Sequence, residues 1–211
     1  MEKLKLIPCY EGKPEGDAYP EFHALNGRLG ETELVDFLRT VCSYGAPKAE
    51  VSSASEAAAF LTALTPDAAR VLSGGLTAQK GAFKIEPSCC CGLEGWREWY
   101  WLLDGHGSPW LGHDPSPWVE AHDGQIVLHT DEGEQGEALT VPAEELAAAL
   151  NQARADLEAF AASLRAWILR ENVQDGQEMC NLLEFWFAIG EKNAEGPPVY
   201  GVAITAKNQP G

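Results

Sequence analysis

The residues best suited to chemistry lie in one segment, CCCGLEGWREWYWLLDGHGSPWLGHDPSPW, at positions 89–118. The segment begins with three consecutive cysteines and also contains two histidines. Thiolate sulfur and imidazole nitrogen are common ligands of Zn²⁺, and a cysteine beside a histidine can act as a nucleophile. The candidate metal ligands in this segment are Cys89, Cys91, His106 and His113.

The spacing of the cysteines favours packing over metal binding. Structural zinc sites usually separate their ligands by two to four residues, whereas successive side chains point in divergent directions. Cysteine also behaves as a small hydrophobe that is often buried. We therefore expect a packed turn with no cofactor, and the alternative is an enzyme or zinc protein that uses the cysteine cluster with nearby histidines.

Motifs that would identify a reaction do not occur in the sequence. It contains no phosphate-binding loop, dinucleotide-binding turn, zinc-protease helix, nucleophile elbow or EF-hand loop. No residue is therefore predicted to be catalytic, and the sequence favours a binding protein over an enzyme.

A predicted hairpin separates two further histidines. The Asp-Gly pair at 123–124 is typical of a two-residue turn, which would place His122 beside the turn and Trp118 opposite His129. The two imidazoles would share one face about 13 Å apart, at ~3.3 Å per residue, which is too far for one ion to bridge them. The opposite face is predicted to enter the core through Val119, Ala121, Ile126 and Leu128.

The chain is strongly acidic, and its charge is unevenly distributed. It has 15 basic and 32 acidic residues in 211, for a formal net charge of −17. Residues 98–153, here called the base-free tract, contain eleven acidic residues and no lysine or arginine. The tract also contains Trp101, Trp110 and Trp118. The alternative to a binding role is that the acidic residues form a solvated surface and that the tryptophans beneath it are all buried in the core.

Aromatic side chains anchor protein interfaces and charge steers encounter, so the tract predicts a basic protein partner. Such acidity also disfavours nucleic acids and anionic membranes as partners, while the oligomeric state stays open. The residues expected to contact the partner are Asp104, Trp110, His113, Asp114, Trp118, Glu120, His122, Asp131 and Glu132.

Hydrophobic periodicity predicts the elements that position these residues. Helical spacing is found at 31–44, in a second helix capped by Ser55, and in a short helix at 66–73 closed by Gly74 and Gly75. Further predictions are strands within 3–8 and 81–87, helices at 96–103 and 178–190, and a long helix at 143–170 whose apolar stripe crosses a sheet. The predicted fold class is α+β, with a small antiparallel sheet that includes the 118–130 hairpin and is covered by the long helix and the N-terminal helical region.

The length fits one globular domain over residues 1–211. Its parts are predicted to be helical at 31–75, sheet plus long helix at 80–170 and a C-terminal extension at 171–211. The start MEKLKLIPCY is not a secretory signal, no uncharged run approaches the ~18 residues of a membrane span, and six cysteines without a C-x-x-C pair are typical of reduced thiols. We therefore expect a cytoplasmic protein.

The order of motifs over residues 92–170 resembles the SUKH superfamily of bacterial toxin-immunity proteins. The motifs that carry the resemblance are GLEGWREWYWLL, PWLGHDPSPW, DGQIVLHTD and AEELAAALNQARADL. The resemblance implies an α+β fold with a Gly-Trp helix, a loop with Asp-Pro and a closing helix that covers the sheet. It also implies a non-enzymatic protein that binds and neutralises a cognate toxin, often a nuclease.

Overall fold

The fold is α+β, as the sequence predicts, in a computed structural model that describes residues 2–12, 21–45, 51–64, 71–132 and 136–190. The strands are β1 Lys5–Glu11, β2 Phe22–Ala24, β3 Gly74–Lys80, β4 Phe83–Ile85, β5 Trp118–His122, β6 Gln125–His129 and β7 Ala138–Pro142. The helices are α1 Glu31–Gly45, α2 Ala54–Thr62, α3 Glu98–Leu103, α4 Ala143–Arg170 and α5 Gly176–Trp186, with a 3-10 helix at Leu93–Arg97. In these ranges no helix is both long and apolar enough to cross a membrane.

The first sheet is antiparallel, with strand order β2-β1-β3-β4. Gly74 opens β3 opposite Tyr10, and a Cβ at Gly74 would lie 2.3 Å from the carbonyl oxygen of Cys9. The glycine thus allows two backbones to approach closely. The prediction that Gly74 and Gly75 close a helix at 66–73 is wrong at residues 71–73, which are not helical, while residues 65–70 lie outside the described part.

The second sheet is antiparallel, with strand order β5-β6-β7, and its hairpin has the predicted register. Trp118 pairs with His129, and Val119, Ile126 and Leu128 are buried as expected. Ala121 is exposed, which corrects its predicted place in the core. It lies one residue from the end of β5, where the hairpin extends into solvent.

The long helix α4 joins the two sheets and has the predicted bounds. It packs against β1 of the first sheet and against β6 and β7 of the second. Every member of its predicted apolar stripe is buried, and both sheets share one continuous hydrophobic core with it. The stripe comprises Leu146, Leu150, Ala153, Leu157, Phe160, Leu164 and Trp167.

The cap of α2 lies two residues earlier than the sequence predicts. The hydroxyl of Ser53, rather than Ser55, accepts a hydrogen bond from the backbone N–H of Glu56 at 3.3 Å. The Glu56 carboxylate in turn accepts from the backbone N–H of Ser52 at 2.8 Å. These two hydrogen bonds satisfy backbone donors at the start of the helix.

The 3-10 helix that leads into α3 is anchored to residues just beyond the end of α5. Trp96 and Trp99 are buried, and the Trp96 indole N–H donates to the carbonyl of Phe187 at 2.9 Å. Arg97 donates to the carbonyls of Ala188 and Gly190 at 2.8 and 3.1 Å. With this face fixed inwards, α3 presents its opposite face to solvent.

Candidate functional site

Two loop segments that are distant in the sequence lie side by side. The backbone N–H of Ser88 donates to the carbonyl of Leu111 at 2.9 Å, and that of His113 donates to the carbonyl of Cys89 at 3.2 Å. Gly112, with φ of +93°, fits between them, because a Cβ there would lie 2.6 Å from the Ser88 carbonyl carbon. The cysteine triplet and the histidine loop are therefore held in a fixed relationship.

Cys89, Cys90 and His113 form what we call the thiol-imidazole cluster. The two sulfurs are 3.4 Å apart, and the ligand atoms of all three residues lie within 4.8 Å of one another. Cys90 has φ of +67°, so the usual divergence of successive side chains does not apply to this pair. Both cysteines are exposed, which corrects the prediction that the whole triplet is packed.

Cys91 is buried, as predicted for the triplet, and is not part of the cluster. Its thiol donates to the carbonyl of Trp110 at 3.3 Å, and burial raises the pKa of Cys91 to about 12. His106 is exposed just beyond α3, where its backbone N–H donates to the carbonyl of Trp101. Of the four predicted metal ligands, Cys89 and His113 come together, and Cys90 replaces Cys91 beside them.

Polar neighbours set the chemistry of the cluster. The Nδ1 atom of His113 lies 3.1 Å from the carboxylate of Asp114. An ionised carboxylate only accepts hydrogen bonds, so this contact favours a proton on Nδ1 and a free lone pair on Nε2. The hydrogen bond between the Cys89 and Cys90 side chains raises the pKa of Cys89. The three side chains can supply two sulfurs and one nitrogen to a single metal ion.

Two tryptophans of the base-free tract are about half exposed, and one of them, Trp110, contacts this cluster. Trp110 is 48% exposed and Trp101 is 51% exposed. The backbone N–H of Trp110 donates to the Glu98 carboxylate at 2.8 Å, and its indole N–H donates to the carbonyl of Cys90 at 3.0 Å. Glu98 is only 8% exposed, and burial raises its pKa. Trp110 is thus fixed in an exposed position.

The exposed face of the hairpin carries a second group of predicted residues. The rings of Trp118 and His129 stack with centroids 3.9 Å apart. His129 Nε2 also lies 3.2 Å from the Glu120 carboxylate. Trp118 is only half-buried, but much of its ring surface is already used within the sheet. It is a poorer anchor for a partner than Trp110.

Asp131 links the hairpin to the loop that leads from the cluster. Its carboxylate accepts from the backbone N–H of Ser116 at 3.0 Å and from that of Glu132 at 2.8 Å. Two other predicted contact residues occupy different points of the surface. Asp104 ends α3, and His122 lies at the hairpin tip with its Nε2 3.0 Å from Asp123.

Two acidic residues of the tract do not contribute an unopposed surface charge. Glu98 is buried, and Glu145 forms an ion pair with Lys80 from the first sheet at 2.8 Å. Eight others are exposed within the described ranges. These are Asp104, Asp114, Glu120, Asp123, Asp131, Glu132, Glu137 and Glu144.

Two residues of the site are not in the residue lists that the sequence predicts. Trp101 lies in the tract but is not a predicted contact residue, and its exposure depends on which face of α3 is packed. Cys90 belongs to the cysteine cluster of the zinc or enzyme alternative but is not one of the four candidate ligands, because its left-handed backbone conformation has no sequence signal for a cysteine. Comparisons of the chain with protein-family models, with curated proteins and with solved structures found no match.

Proposed function

We propose that this protein binds a basic protein partner through Trp101, Trp110 and the exposed acidic residues of the base-free tract. The form we propose is a cytoplasmic, SUKH-type immunity protein that neutralises a basic toxin such as a nuclease. The observation that carries the proposal is the pair of half-exposed tryptophans on a tract with no lysine or arginine.

The tryptophans supply the affinity in this proposal. Covering about 100 Å² of apolar surface on each ring would contribute about 2.5 kcal/mol at 25 cal/mol per Å². Two hydrogen bonds already hold Trp110 in place, so little side-chain freedom is lost when a partner covers it. Tryptophan is among the residues most often found as hot spots of interfaces.

The carboxylates increase the rate of association with a basic partner in this proposal. Exposed acidic groups around an aromatic anchor raise the rate at which a basic surface encounters it, and salt screens this attraction over about 8–10 Å. The association rate with a basic partner should therefore fall as salt rises, while the dissociation rate depends more on the tryptophans. Measuring the two rates at several salt concentrations therefore distinguishes the contribution of the carboxylates from that of the tryptophans.

The test begins with isolation of the partner and ends with purified proteins. The protein, immobilised at low salt, is exposed to an extract of its source organism, and retained basic proteins are purified and measured by biolayer interferometry at several salt concentrations. We expect Trp101→Ala and Trp110→Ala each to weaken binding tenfold or more, and the purified partner to lose its toxic activity when the protein is added.

Leu169→Ala is the matched control, because Leu169 is 55% exposed on α4 outside the tract. It should leave the affinity within twofold of the original. The proposal fails if no basic protein is retained, if both tryptophan variants bind as the unaltered chain does, or if binding is insensitive to salt. A bound partner whose activity is unaffected would contradict the immunity role while leaving the binding role intact.

A further inference from the structure

We propose that the thiol-imidazole cluster is a Zn²⁺ site, with Cys89, Cys90 and His113 as protein ligands and a fourth position open to water or another molecule. The proposal is independent of the basic partner. It replaces the ligand set expected from the sequence, since Cys91 and His106 are not part of the cluster.

The distances between the ligand atoms are close to those that zinc requires. With Zn–S bonds of about 2.3 Å and Zn–N bonds of about 2.0 Å, tetrahedral geometry places sulfurs about 3.8 Å apart and sulfur and nitrogen about 3.5 Å apart. The Cys89 and Cys90 sulfurs are 3.4 Å apart, and the His113 ligand atom is within 4.8 Å of both. Small rotations of exposed side chains would complete the geometry.

Hydrogen bonds from neighbouring residues hold the backbone around the cluster. Cys90 has a left-handed conformation that a non-glycine residue rarely adopts, and Trp110 donates a hydrogen bond to its carbonyl at 3.0 Å. The hydrogen bond from His113 to the Cys89 carbonyl fixes the other half. Unusual backbone conformations held by their surroundings occur preferentially at functional sites.

A carboxylate next to the histidine supports the assignment. Histidine ligands of zinc commonly donate their second ring N–H to a carboxylate, which orients the ring and increases its basicity. Asp114 occupies that position, 3.1 Å from Nδ1 of His113, and leaves Nε2 for the metal. Thiolate and imidazole ligands suit Zn²⁺ rather than Mg²⁺ or Ca²⁺, and the surrounding acidic surface attracts cations.

The first measurement is a Zn²⁺ titration of the metal-free protein, reduced with a phosphine and competed against a chromophoric chelator. We expect one equivalent to bind and Co²⁺ to give the charge-transfer and visible bands of a tetrahedral thiolate site. Cys90→Ser and His113→Ala should each weaken Zn²⁺ binding at least tenfold. Cys91→Ala and His106→Ala are matched controls that should bind as the unaltered protein does, with circular dichroism confirming the fold of every variant.

The second measurement reports on the thiols directly. Bound Zn²⁺ should slow alkylation of Cys89 and Cys90, mapped by peptide mass spectrometry, and should not change the reactivity of Cys180, which is buried. The proposal is overturned if Zn²⁺ does not bind, if Cys90→Ser and His113→Ala bind normally, or if Cys91→Ala weakens binding as much as they do. Unchanged alkylation of Cys89 and Cys90 in the presence of Zn²⁺ would also overturn it.

Discussion

Trp118 and His129 stack face to face across β5 and β6, with ring centroids 3.9 Å apart and planes inclined by 2°. The two residues are directly opposite in the register, and His129 also contacts the Glu120 carboxylate. On the exposed face of the hairpin, Trp118, His129 and Glu120 therefore contact one another in a row. These contacts stabilise the strand pair, whereas Trp110 meets His113 edge-on outside the hairpin, with ring centroids 6.3 Å apart.

The stacked pair should be energetically coupled. Aromatic cross-strand pairs contribute roughly 0.5–1.5 kcal/mol beyond the area they bury. We expect a double-mutant cycle of Trp118→Ala and His129→Ala, measured by urea unfolding, to give a coupling energy of about 1 kcal/mol. The same cycle between Trp118 and His122, which pairs with Gln125 instead, is the control and should give a value near zero. Equal values in the two cycles would contradict the assigned role of the stack.

The ion pair between Lys80 and Glu145 should stabilise the junction between the first sheet and α4. Both side chains are only about one-fifth exposed, and Glu145 also accepts from the backbone N–H of Leu4 at 2.7 Å. Glu145→Gln should lower the free energy of unfolding by about 1–2 kcal/mol, because it leaves a partly buried ammonium without its counter-charge. Glu86→Gln, which breaks an exposed pair with Lys84, should have little effect.

The pH dependence of this effect has a definite sign. The hydrogen bond from Lys80 lowers the pKa of Glu145, so the unfolded chain takes up a proton at this site before the folded one does. The stabilisation is therefore present at neutral pH and is lost on acidification. Urea unfolding at neutral and acidic pH should show the difference between the unaltered protein and Glu145→Gln shrinking as the pH falls.

Local patterns were sufficient to predict some elements closely. The Asp-Gly turn fixed the hairpin register, and the four-and-three apolar stripe fixed α4 at 143–170, because both signals arise from residues near one another in the chain. Ser55 was the wrong cap because Ser52, Ser53 and Ser55 all have suitable chemistry, and only the folded backbone selects between them.

The candidate site depends on contacts between distant residues and on one unusual backbone conformation, which local sequence patterns do not report. Cys89 meets His113 through backbone hydrogen bonds between two loops, and the sulfurs converge because Cys90 is left-handed. The charge pattern does not show that Glu145 is paired, because its partner, Lys80, is 65 residues away. Long-range pairing and an unusual backbone conformation must be seen in the fold, since a single sequence has no periodicity that reports them.

Glu94 should make the protein less stable as the pH rises. Burial raises the pKa of Glu94 from 4.5 to about 7, so between these values the unfolded chain has lost a proton that the folded chain retains. The free energy of unfolding should fall over this range by up to about 3 kcal/mol, at 1.36 kcal/mol per pH unit. Glu94→Gln should remove this loss and be more stable than the unaltered protein above pH 7.

The measurement is urea unfolding at a series of pH values from 5 to 8. The stability difference between Glu94→Gln and the unaltered protein should grow with pH, which isolates Glu94 from Glu98, whose pKa burial also raises. Glu178→Gln, at an exposed position on α5, is the control and should show no such growth. A constant difference for Glu94→Gln would show that burial of its charge does not limit stability.

Gly112 should be the glycine on which the thiol-imidazole cluster depends. A Cβ there would lie 2.6 Å from the Ser88 carbonyl carbon and 2.7 Å from the Cys89 carbonyl oxygen, in addition to the strain of φ at +93°. Gly112→Ala should cost about 3 kcal/mol of stability and separate the loops that carry Cys89 and His113. Gly105→Ala is the matched control, because Gly105 has φ of +80° and no atom within 4 Å of the new Cβ. That variant should lose only about 1 kcal/mol and keep the alkylation rates of Cys89 and Cys90, whereas Gly112→Ala should change both rates. Equal losses in the two variants would mean that backbone strain alone, rather than the close approach of the loops, explains the glycine at 112.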